Sequence, residues 1–147
     1  MGFKDWLMDQ KNNTVSGVKK FANKDFMEAI AAGCALIAAA DGTIDSSEKQ
    51  KMVGYINLNE SLKVFNMNDV LARFNHYAQM FEFDFNVGKA EASKPISKLK
   101  KHPDSAKLLI SVCCSIGSAD GEFDKKEMDL VREMCYMLGL NPADFQL

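Results

Sequence analysis

Ala40-Asp41-Gly42-Thr43-Ile44-Asp45-Ser46-Ser47-Glu48 is answered later in the chain by Ala119-Asp120-Gly121-Glu122-Phe123-Asp124-Lys125-Lys126-Glu127. The shared frame is A-D-G-x-[I/F]-D-x-x-E, at a constant offset of 79 residues (120 − 41). Extended backwards, the same offset pairs Ile37 with Ile116 and Cys34 with Cys113. Such self-similarity marks one supersecondary unit written twice. An apolar run leads into each copy, AIAAGCALIAAA from Ala29 to Ala40 and LLISVCCSIGSA from Leu108 to Ala119. Gly42 and Gly121 stand where a helix would end, at the position that favours a left-handed backbone. Asp45 with Glu48, and Asp124 with Glu127, have the spacing of an N-cap and its N3 acid, which starts the next helix. Each copy therefore reads as helix, tight turn, helix, with three carboxylates at the turn.

The rest of the chain supports an all-α fold. It has 147 residues, 47% hydrophobic and 26% charged, enough for one domain with a sizeable core. Only three prolines interrupt it. The two apolar runs fall short of the roughly 20 residues that span a bilayer, so they read as buried core helices. A secretory leader is not expected, because Lys4, Asp5 and Asp9 already occupy the first ten positions. Residues 1–22 are set apart as an N-terminal segment of flexible character, in which Phe3, Trp6 and Leu7 have helical spacing. Residues 23–147 form the folded domain.

Within that domain Asn23 caps a helix running to about Asp41, and a second helix spans Ser46 to about Leu58, burying Met52, Val53 and Ile56. A short turn follows near Leu62 to Phe65. Asn66 caps an amphipathic helix whose stripe is Val70, Leu71, Phe74, Tyr77, Ala78, Phe81 and Phe85. His76 falls off that stripe and reads as a surface residue. Asn86-Val87-Gly88 reads as a break, and Lys89 to Lys101 as a lysine-rich helix with Val87, Ala90, Ile96 and Leu99 inward, started or kinked by Pro95. His102-Pro103-Asp104 turns into the second buried helix. The last long helix, Lys125 to Leu138, buries Met128, Val131, Met134, Cys135 and Leu138. Asn141-Pro142 begin a final short turn. The expectation is a single bundle of about seven helices, built from two helix-turn-helix units related by a pseudo-two-fold axis.

Charge is segregated although the net value is only −2. Asp25 to Glu60 holds six acids against two lysines, and Ser118 to Leu147 holds seven acids against three bases. Lys89 to Lys107 holds six lysines against Glu91 and Asp104. A basic face can meet anionic lipid or nucleic acid. No aromatic interleaving or nucleic-acid motif accompanies it, so nucleic acid is disfavoured and a solvated face is the simpler reading. Cys34, Cys113, Cys114 and Cys135 form no C-x-x-C, and three of them lie in apolar helices, as reduced and buried thiols do. No phosphate loop, nucleophile elbow or Cys/His pairing points to an enzyme.

The acidic turns invite comparison with an EF-hand, whose 12-residue loop takes calcium ligands from positions 1, 3, 5, 7, 9 and 12. Asp41 to Glu48 and Asp120 to Glu127 fit positions 5 to 12. Positions 1 and 3 would be Ile37 and Ala39, or Ile116 and Ser118. Buried helix has replaced the first half of the loop, which excludes a standard EF-hand. Three carboxylates per turn remain, and Asp41, Asp45, Glu48, Asp120, Asp124 and Glu127 are the candidate ligands of a weak, open site for a divalent cation such as calcium. The caps alone would account for Asp45, Glu48, Asp124 and Glu127. Asp41 and Asp120 are harder to dismiss, since an acid after a helix C-terminus opposes the dipole at a cost of about 0.3–1 kcal/mol.

At these duplicated turns the sequence resembles the TerB family of bacterial tellurite-resistance proteins, a domain also seen at the N-terminus of DnaJ-like membrane co-chaperones. The resemblance covers roughly Phe21 to Leu147. It implies an all-helical fold, a role in resistance to tellurite and related stress, and a metal-binding acidic surface. It also implies partnership with other products of the resistance system, among them the membrane protein TerC and TerD-like calcium-binding proteins; the expected location is cytoplasmic, with recruitment to the inner membrane face. A non-enzymatic scaffold working through the acidic turns is the favoured mechanism. The alternatives are thiol chemistry on tellurite, and contact with an anionic membrane or nucleic acid through Lys89 to Lys107.

Overall fold

The computed structural model describes residues 24–40, 44–59, 62–119 and 123–147. Six α-helices account for most of them: α1 Lys24–Ala38, α2 Ser46–Leu58, α3 Met67–Phe83, α4 Phe85–Lys98, α5 Pro103–Gly117 and α6 Lys125–Met137. Short 3₁₀ turns follow α4 at Leu99–Lys101 and close the chain at Pro142–Phe145. No strand occurs among the described residues, and the fold is an all-α bundle. The N-terminal segment and its Phe3, Trp6 and Leu7 lie outside the described residues.

α1 is the axle of the bundle. Phe26 and the unbroken stretch Ala29 to Ile37 are buried, so the helix is apolar all round, as a central helix must be. It packs against α3, α4 and α5. α5 is nearly as enclosed, with Leu109 to Cys114, Ile116 and Gly117 buried. Pro103 sits at its N-terminus, where its missing N–H costs nothing.

The 79-residue offset extends to the helix boundaries. α1 and α5 are both 15 residues long, α2 and α6 both 13, and each boundary in the second pair lies 79 positions after its counterpart. The caps repeat as well: Asp45 (φ −83°, ψ 171°) and Asp124 (φ −73°, ψ 170°) share one backbone conformation. The axis relating the two units remains an expectation. Gly42 and Gly121 lie outside the described residues.

α1 and α5 lie side by side and run in the same direction. Lys24 and Asp25 share one hollow with Pro103, Asp104 and Ser105, which places both N-termini together. Ile37 and Ala38 share another with Ile116 and Gly117, which places both C-termini together. Fifteen residues of helix separate these ends by about 22 Å.

The middle of the chain differs from its sequence reading in one place. The break falls at Asp84 instead of Asn86-Val87-Gly88. Asp84 ends α3 and caps α4, its Oδ1 accepting from Val87 N at 3.1 Å. Phe85 therefore belongs to α4, and its ring meets Phe81 across the corner at 5.6 Å. Gly88 is a close-packing residue, not a breaker: a Cβ there would fall 2.8 Å from the Phe81 Cα. The inward face of α4 is Gly88, Ala92, Pro95 and Ile96, continued by Leu99, while Val87 and Ala90 are exposed. Small residues face the core because α4 lies close against α1 and α3. Pro95 is inside the helix and buried, so it neither starts nor ends it. In α6, Leu130 is buried where Met128 is only half-buried.

Candidate functional site

Residues that follow the two acidic turns in sequence come together at the C-terminal ends of α1 and α5. Glu48, Asp124 and Glu127 line a single cleft of about 180 Å³, floored by Ile37, Met52 and Ile116. One carboxylate comes from the first unit and two from the second. Each is placed by the start of a helix. At the first turn Glu48 N donates to Asp45 Oδ1 at 2.8 Å, and Asp45 N donates back to Glu48 Oε2 at 3.3 Å, a reciprocal capping box. At the second, Glu127 N donates to Asp124 Oδ1 at 2.8 Å. The capping expected of Asp45 and Asp124 is thus present, and Glu48, Asp124 and Glu127 face the cleft besides. Asp45 is exposed and does not line it. Asp41 and Asp120 lie outside the described residues; in sequence they directly follow Ala40 and Ala119.

The backbone adds to this charge. An α-helix carries roughly half a negative charge at its C-terminus, and two such ends converge here. Neither α1 nor α5 has a basic residue in its last turn to offset it. Lys51 and Tyr55 complete the wall of the cleft. The sequence reading passed over both, although they follow Glu48 by three and seven positions, the spacing of one helix face. Among the described residues no group of three or more His, Cys, Asp and Glu is gathered closely enough to hold a metal. Carboxylate oxygens are nevertheless the ligand type that hard cations take, commonly with water filling the remaining positions.

The four cysteines are all buried. Gly33 makes room for Cys113: a Cβ at Gly33 would fall 2.9 Å from the Cys113 Sγ. Burial pushes the thiols of Cys34 and Cys135 up to about 12, and holds those of Cys113 and Cys114 well above their ordinary value too. They are held as neutral thiols, without the thiolate character that nucleophilic or redox cysteines need.

At the other end of α1, Glu28 accepts from Tyr77 Oη at 2.7 Å and pairs with Arg73 Nε, joining α1 to α3. Burial, helped by the bond to Glu28, pushes the Tyr77 phenol up to about 12. His76 is half-buried, edge-on to the Tyr77 ring, so it is less superficial than its position off the apolar stripe suggests.

A helical bundle with a duplicated helix, acidic turn and helix, its carboxylates gathered beside two helix C-termini and its thiols enclosed, defines a small all-α protein with one acidic pole. Residues 27–147 match the family described as tellurite resistance protein TerB, and the chain belongs to that family. It is also 42% identical over 95 residues to a tellurium resistance protein TerB from an Alcaligenes species, a match covering 65% of this chain and 78% of that protein. No solved structure matches the chain.

Proposed function

We propose that the protein is a non-enzymatic scaffold of tellurium resistance, using its acidic pole to bind a divalent cation weakly or to dock a basic surface of a partner. The observation that carries this reading is the convergence of Glu48, Asp124 and Glu127 with the C-terminal ends of α1 and α5 in one cleft. Asp41 and Asp120 follow those two helices directly in sequence, which supports their membership of the same pole. A hydrated calcium ion suits such an open carboxylate site, with water or a partner supplying the remaining ligands. Tellurite, an oxyanion, does not suit it. The thiol alternative is disfavoured by the burial of all four cysteines.

The partners proposed are other tellurium resistance proteins, among them the membrane protein TerC and TerD-like calcium-binding proteins. No described helix is long and apolar enough to cross a membrane. The proposal includes a cytoplasmic location, with the inner membrane face reached through a partner. Calcium and magnesium titrations followed by amide NMR shifts test the reading, alongside the triple variant E48Q/D124N/E127Q. Asn caps a helix about as well as Asp, so the variant keeps its fold. It is expected to lose the calcium-induced shifts at the α2 and α6 N-termini and to lose tellurite resistance in cells. A folded triple variant with full calcium response and full resistance would refute the assignment.

A further inference from the structure

We infer that the opposite pole holds a second site, a pocket for a compact phosphorylated small molecule, between the N-termini of α1 and α5 and the lysine-rich end of α4. A hollow of about 600 Å³ opens there, within the range of small-molecule pockets. Lys24, Lys98 and Lys101 line it. None of the three has an ion-pair partner among the described residues, whereas Lys89 and Lys94 elsewhere on α4 are paired with Glu133 and Glu91. Lys24 from α1, and Lys98 and Lys101 from the end of α4, thus bring three ammonium-bearing side chains to one concavity. The α5 N-terminus opens into the same hollow, and His102, its N-cap, offers no side-chain acceptor to the first amides. Those N–H groups add donors to the three cations.

The shape and the remaining charges select the ligand class. Asp25 and Asp104, equivalent positions in the two units, also line the hollow. They would repel a continuous polyanion such as a nucleic-acid backbone or a lipid surface laid across the opening. A compact ligand avoids that penalty by turning phosphate oxygens to the lysines and a hydroxyl or amine to the aspartates. The site stands whether or not the acidic pole binds a cation.

Inorganic pyrophosphate, titrated into the full chain at constant ionic strength and followed by amide NMR shifts, tests the inference. Saturable shifts are expected at Lys24, Leu99 and Ser105. K98Q/K101Q, which changes two exposed side chains, should weaken binding by about tenfold or more, as removal of charge-assisted hydrogen bonds does. K107Q, on the exposed side of α5 away from the hollow, should leave binding unchanged. Shifts that do not saturate, that spread over all lysines, or that sulfate reproduces at equal concentration would overturn it. So would binding to phosphatidylglycerol vesicles that depends on Lys98 and Lys101 without any response to pyrophosphate. Should the double variant fail to fold, the shift map of the native chain alone decides.

Discussion

Replacing Gly117 by Ala tests how the fold sets the acidic cleft. Gly117 is the last residue of α5, and the ring of Phe123 lies over it. A Cβ at Gly117 would stand 2.6 Å from the Phe123 Cδ2, well inside van der Waals contact, so the ring must move. In the first unit the equivalent pair is Ala38 with Ile44, a larger helix residue with a smaller turn residue. Overpacking of this kind costs about 1–3 kcal/mol, against a helix-propensity gain of at most about 1 kcal/mol for Gly to Ala. G117A should therefore be less stable by about 1–2 kcal/mol, and melt about 2–8 °C lower at this chain length. F123I alone also destabilises, by loss of ring contacts. The double variant G117A/F123I restores the pairing of the first unit and should be more stable than the sum of the single changes by about 1–2 kcal/mol. Urea unfolding followed by circular dichroism measures the cycle. Because Phe123 precedes Asp124, the displaced ring should also shift the Glu127 amide, which donates to the Asp124 carboxylate. G117A at native stability, with coupling below about 0.5 kcal/mol in the cycle, would refute the reasoning.

Three further outcomes are expected. D45A should cost about 0.5–2 kcal/mol through loss of the capping box while D45N stays near neutral, and equal melting temperatures for the two would contradict the cap. All four thiols should resist iodoacetamide at neutral pH in the native chain and react in denaturant; fast native labelling of any of them would contradict their burial. Stability should fall as pH rises above about 9. The thiols ionise there in the unfolded chain, whose ordinary value is 9.0, but not in the folded one, where Cys34 is held near 12. The stabilisation is complete below the unfolded value and is lost toward the folded one, each such thiol costing about 1.4 kcal/mol per pH unit in between. A flat profile from pH 8 to 10 would count against this.

The repeated units were legible nearly to the residue because three local signals agree in each: a solid apolar run, a turn glycine, and an Asp with Glu three positions on. The α3 to α4 corner was not. Phe81 and Phe85 keep the i, i+4 spacing of one helix straight through it, so periodicity conceals a break that Asp84 makes by capping. The inward face of α4 was misread for a related reason. Apolar size suggested Val87 and Ala90, whereas the close approach of α4 to its neighbours selects Gly88 and Ala92. At the candidate site the carboxylates were legible from the repeat. Their convergence was not, because it depends on α1 and α5 running parallel, a relation between segments 79 positions apart that no local pattern carries.

That parallel arrangement treats its two ends differently. Side-by-side parallel helices align like poles, a repulsion that a fold can reduce with an acid in each first turn and a base in each last turn. The N-termini follow this rule: Asp25 and Asp104 stand in the first turns of α1 and α5. The C-termini break it. No base occupies either last turn, and the cleft beyond them holds Glu48, Asp124 and Glu127, with Lys51 the only base among the described residues of its lining. Helix capping explains why Asp45 and Asp124 begin their helices, but not why Glu48, Asp124 and Glu127 line one cleft beside the C-terminal ends of α1 and α5. A fold shaped by stability alone would place a lysine there, as it places aspartates at the other end. On the reading proposed above, a cation or a basic partner surface supplies that charge.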